Sequence, residues 1–320
     1  MEVVLSLSQP FSFNVKTGGE FYMTLDIFGF QALWSPLFLF SLIIISLIFI
    51  LATTLFRQKI SSTSEHLTSK QMCCFIVTVL LLYIIKGSPI DLLGHIMFSV
   101  HMTQMALLYL VIPPLFILSI PKWIWRAFLR VRFVNSLFRF FTKPLIALIV
   151  FNGMFSFYHV PVIFDAVKTD MLLHAIYTTV LFMTAVLMWW PLVNELEEYQ
   201  GFLGLKRIGY IFANGILLTP ACALIIFADQ PMYHTYSDFS FWLKAMELCV
   251  PSDTLASLNL SGPEMFNSMP LLEDQRTGGV VMKVIQELVY GFFMAKIFYA
   301  WYRMESKDSI DMNPKVREIS

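Results

Sequence analysis

Long apolar runs alternate with short polar segments along this chain. A helix needs roughly 20 residues to cross a hydrocarbon core of about 30 Å, and runs approaching or exceeding that length occur at about 34–56, 71–86, 92–120, 144–162, 171–193, 208–228 and 279–302. The pattern predicts an all-α fold, a polytopic membrane bundle of seven transmembrane helices. Pro113-Pro114 in the third run removes two backbone donors and predicts a kink or an early end there. Between the third and fourth runs, residues 121–141 interleave Trp123, Trp125, Phe128, Phe133, Phe138 and Phe140 with basic side chains. That mixture predicts an anchoring helix in the headgroup region. The long polar stretch at about 229–277 is predicted to cap one end of the bundle.

Composition agrees with the runs: 57% hydrophobic and 14% charged residues lie outside the range of a soluble domain. The lipid bilayer is therefore the surrounding partner. With 22 basic and 22 acidic residues there is no cationic excess to neutralise phosphates, which excludes a nucleic-acid partner. Distribution is more telling than balance. Fifteen Lys and Arg flank one set of span ends, among them Arg57, Lys122, Arg126, Arg139, Lys206 and Arg303, against five at the other. Cytoplasmic loops carry that excess. Residues 1–33 are thus an extracytoplasmic tail, 34–302 the membrane domain and 303–320 a cytoplasmic tail. The first 30 residues lack the pattern of a cleavable signal peptide, so the first span is expected to insert itself. Cys73 and Cys74 fall on the reducing side, where a disulfide is not expected. Cys222 and Cys249 read as small buried hydrophobes, with pairing or metal binding as alternatives.

The orientation places His95, His101, His159, His174 and His234 at or near the outer end, which makes a metal site the leading functional question. On a continuous third helix, Met97, His101 and Met105 form one stripe with Gln104 beside it, while His95 lies about 120° away and shares its stripe with Met102. His159 closes the fourth run and His174 opens the fifth. Asp91 and Asp170 each precede a histidine by four residues, a spacing that lets a carboxylate fix an imidazole tautomer; both also suit helix N-caps. For any single histidine, an interfacial anchor or a hydrogen-bonded core residue is the ordinary role.

Imidazole beside thioether suits copper, particularly Cu(I), and the lack of a carboxylate cluster disfavours calcium and magnesium. Three-histidine zinc and bis-histidine haem are the competing readings. In the seventh run, Lys283, Gln286 and Glu287 are expected to turn a polar face into the bundle, because a charge at mid-membrane costs about 2.5–3.5 kcal/mol. No nucleotide loop or nucleophile–base pair is present, so catalysis is not expected.

Several motifs converge on one family. Gly94-His95 through Met105 with Pro113-Pro114, Tyr158-His159 with Pro161, His174 with Trp189-Trp190-Pro191, and Asp274-Gln275 with Gly278-Gly279 closely resemble the CtaG family known from Bacillus. These are assembly factors of caa3-type cytochrome c oxidase. The resemblance runs from about Leu25 to Trp301. It implies a non-catalytic, multi-pass protein of the bacterial plasma membrane that helps copper reach the binuclear centre, with the oxidase catalytic subunit as partner. The ligand set it suggests is His95, His101, His159 and His174 with Met102 and Met105. Asp274 and Gln275 would orient a ligand or meet the oxidase. The chain departs from many relatives in having Met105 where they have a third histidine, and His234 falls outside the family pattern. A haem- or quinone-binding redox protein and a metal-independent scaffold for oxidase subunits are the alternatives.

Overall fold

The computed structural model describes residues 24–61, 64–199, 204–266 and 269–311, and every regular element among them is helical. The predicted terminal tails lie largely outside these residues. The first candidate span, Leu25–Thr53, contains α1 (Gly29–Trp34) and α2 (Pro36–Thr53). Next come α3 (Ser69–Gly87), the short α4 (Pro89–Ile96) and the long α5 (Phe98–Ser119). Two amphipathic helices, α6 (Lys122–Phe128) and α7 (Arg132–Phe141), lead into α8 (Pro144–Tyr158), which is bent 77° from α7. The short α9 (Pro161–Lys168) precedes α10 (Met171–Val193) and α11 (Leu205–Ile226). The polar stretch folds into α12 (His234–Ser237), α13 (Phe239–Met246) and α14 (Ser252–Ser257), and the 41-residue α15 (Leu271–Asp311) follows.

Among the described residues five helices are long and apolar enough to cross a membrane, six if α7 and α8 count as one span. The seventh predicted run lies inside α15 but is not among the five; Lys283, Glu287 and Lys296 dilute its apolar residues. Within α5 67% of the apolar window is buried, against 11% in Leu25–Thr53, so α5 is the central strut. It packs against α3, α10 and α15, while α8 and α11 close the other side. Gly278 and Gly279 set the approach of α15: a Cβ on Gly278 would lie 2.8 Å from Phe98 Cδ1, and one on Gly279 would lie 2.7 Å from Ile226 Cγ1. Only glycine permits helices this near.

The third predicted run reaches its expected end but departs from a single regular helix. Of the two outcomes expected at Pro113-Pro114, an early end does not occur: the helix continues to Ser119. Residues 107–111 form a π turn, with the Ile112 N–H bonded to the Leu107 carbonyl. The Tyr109 carbonyl would accept from residue 113 in an α register or from 114 in a π register, and both are proline. The Trp189 indole N–H donates to it instead, at 3.2 Å. At the start, the run breaks at Met97, whose backbone is extended. Asp274 of α15 caps the new helix in trans, accepting from the Phe98 N–H at 2.6 Å, the Ser99 N–H at 3.2 Å and the Ser99 hydroxyl.

The predicted anchoring helix is two helices, broken between α6 and α7, with Phe128, Phe133, Leu137 and Phe140 exposed. At the opposite end the polar stretch forms a cap with its own apolar core. Trp242, Met246, Val250 and Leu255 pack there with Phe28 and Leu33, and with Leu92 and Ile96 of α4. Residues 25–33, read from sequence as tail, thus contribute to this cap.

Candidate functional site

Four short-range constraints build the layer beneath the cap. Ser88 starts α4 by accepting from the Ile90 N–H, and Pro89 at the first helical position leaves the Ile85 carbonyl without its usual donor. Gln104 Nε2 fills that role at 2.7 Å, and also donates to the Ile90 carbonyl and to Asp91 Oδ1. Gly94 makes this possible, since any side chain there would collide with the Gln104 amide oxygen. Gln104, a predicted neighbour of a metal, is therefore a clamp joining α3, α4 and α5.

The break at Met97 removes the single-helix geometry on which a 120° separation of His95 and His101 rests. His95 lies on α4, 2% exposed, with its ring 6.3 Å from that of His174 and Nδ1 3.3 Å from Lys168 Nζ. His101, 4% exposed, stands edge-on to Phe164 at 5.3 Å and 6.0 Å from Tyr158. His159 stacks near Phe155 and Tyr158, and its Nδ1 bonds the Phe155 carbonyl at 2.8 Å. The structure thus brings His95 beside His174, while His101 and His159 each pack against the rings of Tyr158 and Phe164.

Three imidazole nitrogens in this layer have no protein hydrogen-bond partner although they are buried: His101 Nε2, His159 Nε2 and His174 Nδ1. The Tyr158 hydroxyl is in the same position. Each such group forfeits about 1–3 kcal/mol, and buried polar atoms are otherwise almost always paired. A donor set of unpaired imidazole nitrogens fits a borderline or soft metal ion. The His95 and His174 rings lie 6.3 Å apart, and of this pair the unpartnered nitrogen is His174 Nδ1, since His95 Nδ1 meets Lys168 Nζ at 3.3 Å.

The remaining predicted residues divide. Met105 is buried at 4% exposure, whereas Met102 packs its Cγ under Gly278 of α15. Asp170 is the N-cap of α10, accepting from the Leu173 N–H at 2.7 Å, so the capping role holds rather than a bond to the His174 ring. Asp91 pairs with Lys86 at 2.9 Å and makes no hydrogen bond to His95. Gln275 accepts from the Met232 N–H and donates to the Ile225 carbonyl, tying the cap to α11. In α15, Gln286 is fully buried, but the Lys283–Glu287 pair does not face inward: the Glu287 side chain is 59% exposed, with Lys283 donating to it and to Thr219. An ion pair formed within the helix reduces the cost that an inward turn would have relieved.

Two buried charged residues lie outside the predicted set. Asp165 of α9 accepts from the His234 and Thr235 N–H groups, fixing α12. Lys168, 1% exposed, touches His95, and burial pushes its amine down to about 7 with the Lys86 ammonium adding to the effect. Their signal in sequence is weak, because charges between two apolar runs read as solvated loop. Cys249 lies in the cap with Sγ 3.5 Å from Asp91 Oδ2, and burial pushes its thiol up.

A family model described as cytochrome c oxidase caa3 assembly factor (Caa3_CtaG) matches residues 47–304. That span takes in the last seven residues of α2, all of α3 to α14 and most of α15. Neither a curated protein nor a solved structure matches the chain.

Proposed function

The chain belongs to the caa3 cytochrome c oxidase assembly factor family, and from that membership we propose that it serves the oxidase by handling copper as cargo. The observation that carries this reading is the set of buried, unpartnered nitrogens on His101, His159 and His174. Cu(I) prefers few, soft or borderline ligands and accepts imidazole and thioether readily. We place it between α5, α8 and α10, on His101 with His159 or His174, with Met105 supplying sulfur; Met102 turns toward α15 and has no part in the set.

In this reading the histidine end faces outward, with the N-terminus outside, the C-terminus cytoplasmic and α15 completing seven spans in the bacterial plasma membrane. Copper passes to the oxidase catalytic subunit by ligand exchange, and the role is assembly rather than catalysis. His101 and His159 are held by aromatic packing rather than by hydrogen bonds to both nitrogens, so ring motion can exchange one ligand at a time.

The test is the oxidase made in cells lacking this protein, supplied with wild type or with a His101→Ala/His159→Ala variant. Oxidase with normal haem, depleted copper and lost activity in the variant cells is the expected result. Full copper and activity there would reduce the protein to a scaffold.

A further inference from the structure

The sequence-based ligand set leaves out Cys249, yet the cap delivers it to the histidine layer. One carboxylate oxygen of Asp91, one ring nitrogen of His95 and Cys249 Sγ all lie within 4.8 Å of one another, the one group of three such ligands among the described residues. We propose that Asp91, His95 and Cys249 form a site for a thiophilic d10 cation, Cu(I) or Zn(II), at the seam between α4 and the cap. This deepens the copper reading by giving the cargo a landing position nearer the aqueous side than His101.

The surroundings prepare each ligand. Asp91 Oδ1 is held by Lys86 at 2.9 Å and Gln104 at 3.3 Å, which leaves Oδ2 to face Cys249 alone. The Cys249 thiol donates to that oxygen at 3.5 Å, so its proton occupies the gap an ion would take. Binding replaces the S–H···O contact by metal–sulfur and metal–oxygen bonds, and the thiol proton leaves to solvent. Sulfur, nitrogen and carboxylate oxygen together are ligands of tetrahedral zinc with a water in the fourth position, whereas Cu(I) would keep sulfur and nitrogen and release the carboxylate. Lys86 and Lys168 lie beside the group, and Lys86 offsets the charge of Asp91 before an ion arrives. His174 stands next to His95, with the two rings 6.3 Å apart. An ion held here is thus one ring away from the unpartnered His174 Nδ1.

The local fold ties the site to the cap. Cys249 follows α13, whose Trp242 and Met246 are fully buried against α4, and Tyr236 donates to the Gly94 carbonyl at 2.7 Å. The cap thus supplies the third ligand and at the same time fixes α4, which carries Asp91 and His95.

The full chain, purified in detergent, is titrated with Co(II) as a spectroscopic probe and with Cu(I) and Zn(II) against competing chelators. Wild type is expected to show thiolate-to-cobalt charge transfer, and Cys249→Ser to lose it with at least about a tenfold drop in affinity for the preferred metal. Cys222→Ser should retain both signals. Asp91→Asn separates the metals, weakening Zn(II) and sparing Cu(I). Charge transfer that survives Cys249→Ser, or unchanged affinity for both metals, overturns the site. The two proposals fail separately: if His101→Ala/His159→Ala loses Cu(I) while Cys249→Ser does not, the landing site is wrong and the copper reading stands. Cobalt charge transfer from Cys249 together with normally coppered oxidase in the histidine variant leaves the site and removes the delivery role.

Discussion

At the arginine end of the bundle, Arg126 meets Glu198 at 2.8 Å with 54% and 39% of the two side chains in solvent, and Lys70 reaches Glu195 with similar exposure. At the histidine end Asp165, Lys168 and Asp274 are each at least 95% buried. Their partners are mainly backbone N–H groups or buried side chains from distant segments. The first arrangement is replaceable, because water can serve either charge when the pair breaks. The second is not, since each buried charge depends on partners that the fold holds in place and that water cannot replace. Where the histidine layer leaves nitrogens without a neighbour, the same logic turns a structural deficit into ligand capacity.

The sharpest way to break this contrast is Asp274→Ala, which strips the acceptor from two buried N–H groups at the start of α5 and should cost about 3 kcal/mol or more. A thermal unfolding midpoint in detergent measures it. Asp274→Asn keeps one acceptor and should recover part of the loss; if both variants melt like wild type, the trans cap is not what holds the break at Met97. A smaller loss, about 1–3 kcal/mol, is expected for Trp189→Phe, where the Tyr109 carbonyl is left without a donor from either proline or indole. The smallest belongs to Arg126→Ala at the exposed end, no more than about 1 kcal/mol. Its pH dependence has a defined sign. The hydrogen bond from Arg126 holds the Glu198 carboxyl below its usual value, so the contribution is present above the unfolded carboxylate pKa of about 4 and fades as pH falls through the lower folded value. Loss of stability on raising pH from neutrality, traced to this pair, would contradict that assignment.

Much of the bundle was legible because transmembrane runs are long and locally encoded: 171–193 matches α10 residue for residue and 208–228 lies within three residues of α11 at each end. What escaped was set by partners far away in sequence. Nothing between His95 and His101 announces a break, since its cap, Asp274, lies about 175 residues on. Pro113-Pro114 left a kink and an early end both open, because the indole that satisfies Tyr109 and lets the helix continue belongs to another helix. The fourfold Asp–His spacing was visible, but the carboxylates found stronger partners in Lys86 and in the α10 N-terminus. Asp165 and Lys168 were hidden by position, between two apolar runs where charge normally meets water. Residues 25–33 carry enough apolar side chains to join the cap, yet no periodicity marks which surface they cover.

On the proposed function, the unpartnered nitrogens of the histidine end hold copper. The most direct measurement is the Cu(I) content of the purified full chain under reducing conditions, taken in parallel on wild type and on a folded His101→Ala/His159→Ala variant. Bound copper in the wild type and its loss in the variant are the expected results. Wild-type protein that excludes Cu(I), or a variant that retains all of it, would contradict the proposed function.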